Sequence, residues 1–148
     1  MGSQLRTSLF SQSRHTGGTQ QCSFNCKEMK KYLYSLLTKI DGLYSVVVSD
    51  RDGVPILKAS SEKAPESALR PCFLSTFGMA TDQGSKLGLG RNNAVICLYN
   101  NFQVVQINDL PLIVSFIASH SCNTGHILNH KQTLQQLLQP LKGSVVEP

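Results

Sequence analysis

At 148 residues the chain is one domain's worth of sequence, long enough to bury a core without disulfide or metal staples. Apolar residues at 41% and charged residues at 16% exclude disorder throughout, and no apolar run reaches the length of a membrane-spanning helix. The net charge of +5 is dispersed: Lys27, Lys30, Lys31 and Lys39 share one expected helix with Glu28, and there is no tryptophan, which predicts a solvated helix face and no nucleic-acid surface.

Residues 1–26 are rich in Ser, Gln, Thr and Gly and hold no acid, the composition of a disordered amino-terminal extension. Arg6, Arg14 and the serines faintly resemble an organelle transit peptide, and "MGSQLR" a myristoylation start whose Arg6 stands where Ser or Thr is wanted. The segment has no apolar core of a secretory signal, and Cys22 and Cys26 are one residue too far apart for a Cys-x-x-Cys motif. With an odd cysteine count, a soluble intracellular chain with reduced thiols is expected.

From Cys26 the pattern becomes helical, with Met29, Leu33, Leu36, Leu37 and Ile40 on one side and Gly42 as a stop. Two strands follow, 44–49 and 55–60, joined by "SDRDG". Asp-Gly between apolar runs predicts a tight hairpin in which glycine supplies positive φ. A calcium loop is excluded: counted from Asp50, glycine arrives at the fourth position and Ser61 stands at the twelfth, where a Glu is required.

After a polar link, Pro71 opens a second expected helix, "PCFLSTFGMATDQGSKLGLG". Its stripe of Phe73, Phe77, Ala80, Gly84 and Leu87, flanked by Leu74 and Thr81, is predicted to cover a sheet. Ser75, Met79, Asp82 and Lys86 lie opposite, and Gly88 and Gly90 end the helix. Its glycines and Lys86 do not make a phosphate loop, which needs Gly-Lys-Ser/Thr after a strand.

Three strands are then predicted, 94–99, 102–110 and 112–119. Asn100-Asn101 makes a tight turn through the tolerance of Asn for positive φ, and the last strand is apolar enough to be covered on both faces. A closing helix runs from about Thr124 through Ile127, Leu128, Leu134, Leu137 and Leu138, ended by Pro140 and Gly143. The order predicts an α+β fold with a mainly antiparallel sheet and helices for both faces.

Candidate chemistry is sparse. Cys122, His126 and His130 recur at intervals of four, so one helix face could present them to zinc, although the glutamate of a zincin is missing and no fourth ligand is evident. No nucleophile elbow occurs, and no acid lies between Asp109 and Glu147. These residues assign no catalytic group, resident metal or cofactor.

"GLYSVVVSDRDGVPILK", "ALRPCFLSTFGMATDQGSKLGLG" and "FQVVQINDLPLIVSFIAS", in this order over roughly residues 27–126, resemble the roadblock/LC7 family and, within it, the MEK-partner MAP-kinase scaffolds of the late endosomal and lysosomal adaptor complex, Ragulator. The resemblance implies a roadblock/LC7, profilin-like α-β-β-α-β-β-β-α domain over 27–142 with a tail at 143–148. It implies a five-stranded antiparallel sheet, the middle helix on one face and the first and last on the other. It implies a non-catalytic subunit that heterodimerises with a second roadblock subunit through Ala94, Val95, Ile96, Cys97, Leu98 and Tyr99, with Thr76, Met79, Gln83 and Lys86 facing the partner helix. Asp50, Arg51 and Asp52 are expected as exposed partner contacts. Further implied partners are the other Ragulator subunits, Rag GTPases, and the MEK and ERK kinases, in service of MAPK and mTOR signalling at late endosomes and lysosomes, with membrane attachment only through a lipidated companion. The alternatives are a roadblock-type dynein light chain or, from another class, a zinc-dependent activity through Cys122, His126 and His130. Two stretches depart from the family pattern: residues 1–26, and a last helix rich in Gln where the family is rich in Glu.

Overall fold

The computed structural model describes residues 19–143, with side chains described from Asn25 onward. The transit-like and myristoylation-like patterns, most of the extension expected to be disordered, and residues 144–148 of the tail lie outside the described residues. The elements are α1 (Thr19–Lys39), β1 (Leu43–Ser49), β2 (Pro55–Ser60), a 3-10 turn (Glu66–Leu69), α2 (Pro71–Ser85), β3 (Ala94–Leu98), β4 (Phe102–Asp109), β5 (Leu112–Ser119), α3 (Thr124–Asn129) and α4 (Lys131–Lys142). The boundary placed at residue 26 falls inside α1, which is described from Thr19 onward.

The strands form one sheet in the order β2-β1-β5-β4-β3, every neighbouring pair antiparallel. The central strand β5 is buried along its length up to Ser119, as its continuous apolar run predicts. The alternation of side chains divides it between two cores. Val46, Val48, Val105, Ile107, Val114 and Phe116 meet Met29, Leu33, Leu36 and Ile40 of α1 and Leu134, Leu138 and Leu141 of α4. Val47, Val104 and Ile117 meet Ala68, Leu74 and Phe77 on the opposite face, under α2. Burying one such aliphatic or aromatic side chain stabilises the fold by roughly 1.5–3 kcal/mol.

Buried polar groups of β4 tie both layers of helices to the sheet. The buried Gln106 amide donates to the Ser115 hydroxyl at 2.9 Å and to the Leu74 carbonyl at 3.2 Å, tying the helix to β4 and β5. Gln103 does the same for the loop after β5: it donates to the carbonyls of Ser119 and Cys122 and accepts from Thr124. At the far end of β4, Asp109 is 8% exposed and accepts from Lys142 Nζ at 2.6 Å and from Gln135 at 3.3 Å, which fastens the carboxyl end of α4 to the sheet.

The expected β1–β2 hairpin forms with Gly53 at positive φ; its Asp50–Val54 loop is a type I-like turn, with the Gly53 amide donating to the Asp50 carbonyl at 3.2 Å and a bulge at Ser49. Three local expectations are corrected. Neither asparagine of the β3–β4 turn has positive φ. The α2 stripe turns inward on Leu74 and Phe77, leaving Ala80 exposed and Leu87 beyond the helix end at 72% exposure. The closing helix breaks at His130 and runs through Pro140: His130 N–H bonds the Ile127 carbonyl in a tightened turn, α4 restarts from the His130 carbonyl, and buried Leu138 and Leu141 hold the helix across the proline.

Gly53 is the position where glycine is required: its φ is +83°, and an added Cβ would lie 2.4 Å from the Pro71 carbonyl oxygen. Gly53→Ala is expected to lower stability by at least about 1–2 kcal/mol in chemical denaturation, with the β1–β2 loop lifted from α2. Lys142→Met, which strands a nearly buried carboxylate, is expected to lower it by about 3 kcal/mol in the same assay.

Candidate interaction site

The strand expected as a pairing edge is an edge: β3 ends the sheet, with β4 on one side and no strand on the other among the described residues. Its hydrogen-bonding sense follows from two flanking bonds. The Asn108 amide donates to the Asn93 carbonyl at 2.9 Å, and the Tyr99 amide donates to the Phe102 carbonyl at 2.8 Å. Bonded and non-bonded pairs alternate in an antiparallel ladder, so Val95 and Cys97 bond inward to Gln106 and Val104. Ala94, Ile96 and Leu98 therefore direct their N–H and C=O groups outward.

The side chains of β3 divide by face. Val95 and Cys97 pack against the cluster under α2. Ala94, Ile96 and Leu98 stand on the other face, opposite Ile107, Val105 and Gln103, with Ile96 and Leu98 exposed. Tyr99 follows the strand, also exposed. Thr76, Met79, Gln83 and Lys86, spaced three or four apart, are exposed on α2, and Met79 is 72% exposed. Apart from Val54, the exposed large hydrophobics among the described residues are Met79, Leu87, Leu89, Ile96, Leu98 and Tyr99, all on α2, the loop after it, or β3 and its end. The sequence reading passed over Leu89; its signal was a leucine held between two glycines, both of which have positive φ.

Asp50, Arg51 and Asp52 do not act as a set. Asp50 Oδ1 accepts from the amides of Asp52 at 3.0 Å and Val54 at 2.9 Å, so its carboxylate closes its own loop. Arg51 and Asp52 remain exposed.

The three expected zinc-face residues do not share a helix face, because the helix begins only at Thr124. Cys122 precedes the Asn123 cap of α3 and lies in the core, where burial first and then the charge of Asp41 push its thiol pKa up, away from the thiolate a metal needs. The His126 and His130 rings lie tilted by 37° with centroids 5.5 Å apart, and His130 Nδ1 lies 3.3 Å from the Tyr32 hydroxyl. Among the described residues no three His, Cys, Asp or Glu side chains are gathered to hold a metal. Burial, then His126 and Lys39, hold the His130 ring below its ordinary pKa. The folded chain thus prefers neutral His130: its contribution is complete above the unfolded value of about 6.5 and is lost as pH falls through that value toward the lowered one. Urea midpoints between about pH 7 and pH 5 are expected to decline less in His130→Gln than in the wild type.

Comparison with known proteins places these features among relatives. The family model described as "Mitogen-activated protein kinase kinase 1 interacting" matches residues 27–145. "Ragulator complex protein LAMTOR3-A" of Xenopus laevis is 56% identical over 120 residues, covering 81% of this chain and 98% of that one. "Ragulator complex protein LAMTOR3" of Homo sapiens is 57% identical over 120 residues, covering 81% and 96%. In three dimensions, the roadblock/LC7 domain from Streptomyces avermitilis superposes with a TM-score of 0.62 at 13% identity, covering 76% of this chain and 95% of that one. Profilin IA of Acanthamoeba castellanii gives 0.54 at 12% identity, covering 76% and 97%, so the roadblock/LC7, profilin-like fold is the one this chain adopts.

Proposed function

The chain belongs to the mitogen-activated protein kinase kinase 1 interacting family, and from that premise we propose that it is a non-catalytic scaffold subunit which pairs along β3 with a second roadblock subunit. The observation that carries this reading is the uncovered edge: outward N–H and C=O groups on Ala94, Ile96 and Leu98, with exposed apolar side chains along it. Such an edge templates further strand pairing. It carries no proline and no charged side chain between Ala94 and Tyr99, whereas the opposite edge strand, β2, has Pro55 and exposed Lys58.

In this reading the paired subunits sit within Ragulator on the cytoplasmic face of late endosomes and lysosomes. There they support MEK and ERK signalling and the docking of Rag GTPases for mTOR complex activation. The relatives named as Ragulator complex proteins support the assignment of the complex. Attachment comes through a lipidated companion subunit; among the described residues no helix is long and apolar enough to cross a membrane.

Purified chain mixed with the second roadblock subunit of Ragulator is expected to elute as a one-to-one complex in size-exclusion light scattering. Ile96→Pro removes an outward donor while leaving the ladder to β4 intact, and is expected to abolish the complex. No mass shift with the wild-type chain would sink the proposal.

A further inference from the structure

The chain carries two apolar features at opposite ends of α2. One is the loop after the helix, where Leu87 and Leu89 are 72% and 88% exposed between Lys86 and Arg91. Gly88 and Gly90 hold it open with φ of +77° and +90°, and nothing lies within 4 Å of where their Cβ atoms would be. The other is a concavity of about 380 Å³ lined by Pro65, Ala68, Phe73, Tyr99, Phe102 and Val104.

Their positions relative to β3 are fixed by contacts. The Asn92 amide donates to Ser85 Oγ at 3.1 Å, so the carboxyl end of α2 and the leucine loop lie at the Ala94 end of β3. Phe73, in the first turn of α2, shares the concavity with Tyr99, which places it at the other end of the strand. The 15-residue helix separates loop and concavity by about 22 Å, so one chain cannot bring its own two together.

Pairing along β3 does bring them together. Two like-folded subunits that join edge to edge about an axis normal to the sheet meet antiparallel, with their α2 helices on the same face. The Ala94 end of one strand then lies opposite the Tyr99 end of the other. We infer that Leu87 and Leu89 seat on the hairpin end of the paired roadblock subunit, and that the loop after that subunit's own middle helix occupies the concavity between Phe73 and Tyr99. The exchange is continuous with the proposed pairing edge through Tyr99, which belongs to both, and it rests on the reading that β3 is that edge.

The test measures affinity of the full chain for the second roadblock subunit of Ragulator by titration calorimetry, using three variants. L87S/L89S removes the inserted side chains, and S67W fills the concavity from an exposed lining position. I96P interrogates the strand pairing itself. The inference expects I96P to abolish binding and each of the other two to weaken it roughly 10- to 100-fold, with unchanged thermal unfolding of the isolated chains. If I96P abolishes binding while L87S/L89S and S67W bind as wild type, the exchange is overturned and the pairing stands. Weakening by only one of the two overturns the reciprocal exchange. If I96P binds as wild type, the pairing reading falls and the exchange with it. If the chain alone dimerises and all three variants abolish that dimer, a second copy is the occupant and the assignment to the other subunit is overturned.

Discussion

The backbone groups of β3 impose the constraint around which this molecule is organised. Ala94, Ile96 and Leu98 turn their N–H and C=O groups away from the sheet, in a strand with apolar side chains on both faces. An exposed strand of this kind is an aggregation hazard unless something pairs with it or disfavours pairing. The other edge is blunted by Pro55 and Lys58, which makes the asymmetry between the two edges a property of the sequence. The consequence is directional: association is disfavoured at β2 and left open at β3.

The unequal covering of the sheet follows the same asymmetry. One face is sealed by α1 and α4, whose leucines meet β1, β4 and β5 in a continuous core. The other has a single α-helix of 15 residues, α2, over Val47, Val104 and Ile117. A smaller apolar contact holds α2 less firmly, and specific bonds compensate. Gln106 reaches the Leu74 carbonyl, and the β1–β2 loop packs Gly53 against the Pro71 carbonyl. These contacts set the angle at which α2 crosses the sheet, and with it the direction in which Met79 and the Leu87–Leu89 loop point. A glutamine amide satisfied on both sides is well suited to that task, because any other helix position leaves buried polar groups unpaired.

Much of this was legible in the sequence because periodicity reports burial directly. The spacing of Met29, Leu33, Leu36 and Ile40 and the unbroken run of β5 each reappear as buried sets. What was not legible depended on partners distant in the chain. Nothing in "SDRDG" announces that its glycine must pass beneath Pro71, so the loop read as a free turn with three exposed charges. The Cys122, His126, His130 spacing assumed one continuous helix, whereas α3 begins after the Asn123 cap and leaves Cys122 ahead of it, in the core. Pro140 read as a stop because its cost is local, yet two buried leucines on one turn outweigh one lost hydrogen bond. Of the pairing edge, the strand itself was visible in sequence; its place at the end of the sheet followed from the family resemblance.

The Gln-rich character of the last helix falls where the fold tolerates it. The Gln-rich stretch of the last helix exposes Gln132, Gln136 and Gln139, while Leu134, Leu138 and Leu141 keep the core contact. Among the described residues no side-chain hydrogen bond links those glutamines to the outward edge of β3. Sites without shared partners contribute independently to stability and binding. Exchanging acidic for neutral side chains there changes the potential that α4 presents to any surface it meets, and leaves the hydrogen-bonding edge untouched. Pairing and recognition by the outer helices are therefore physically separable properties of this fold, and a family member can alter one while retaining the other.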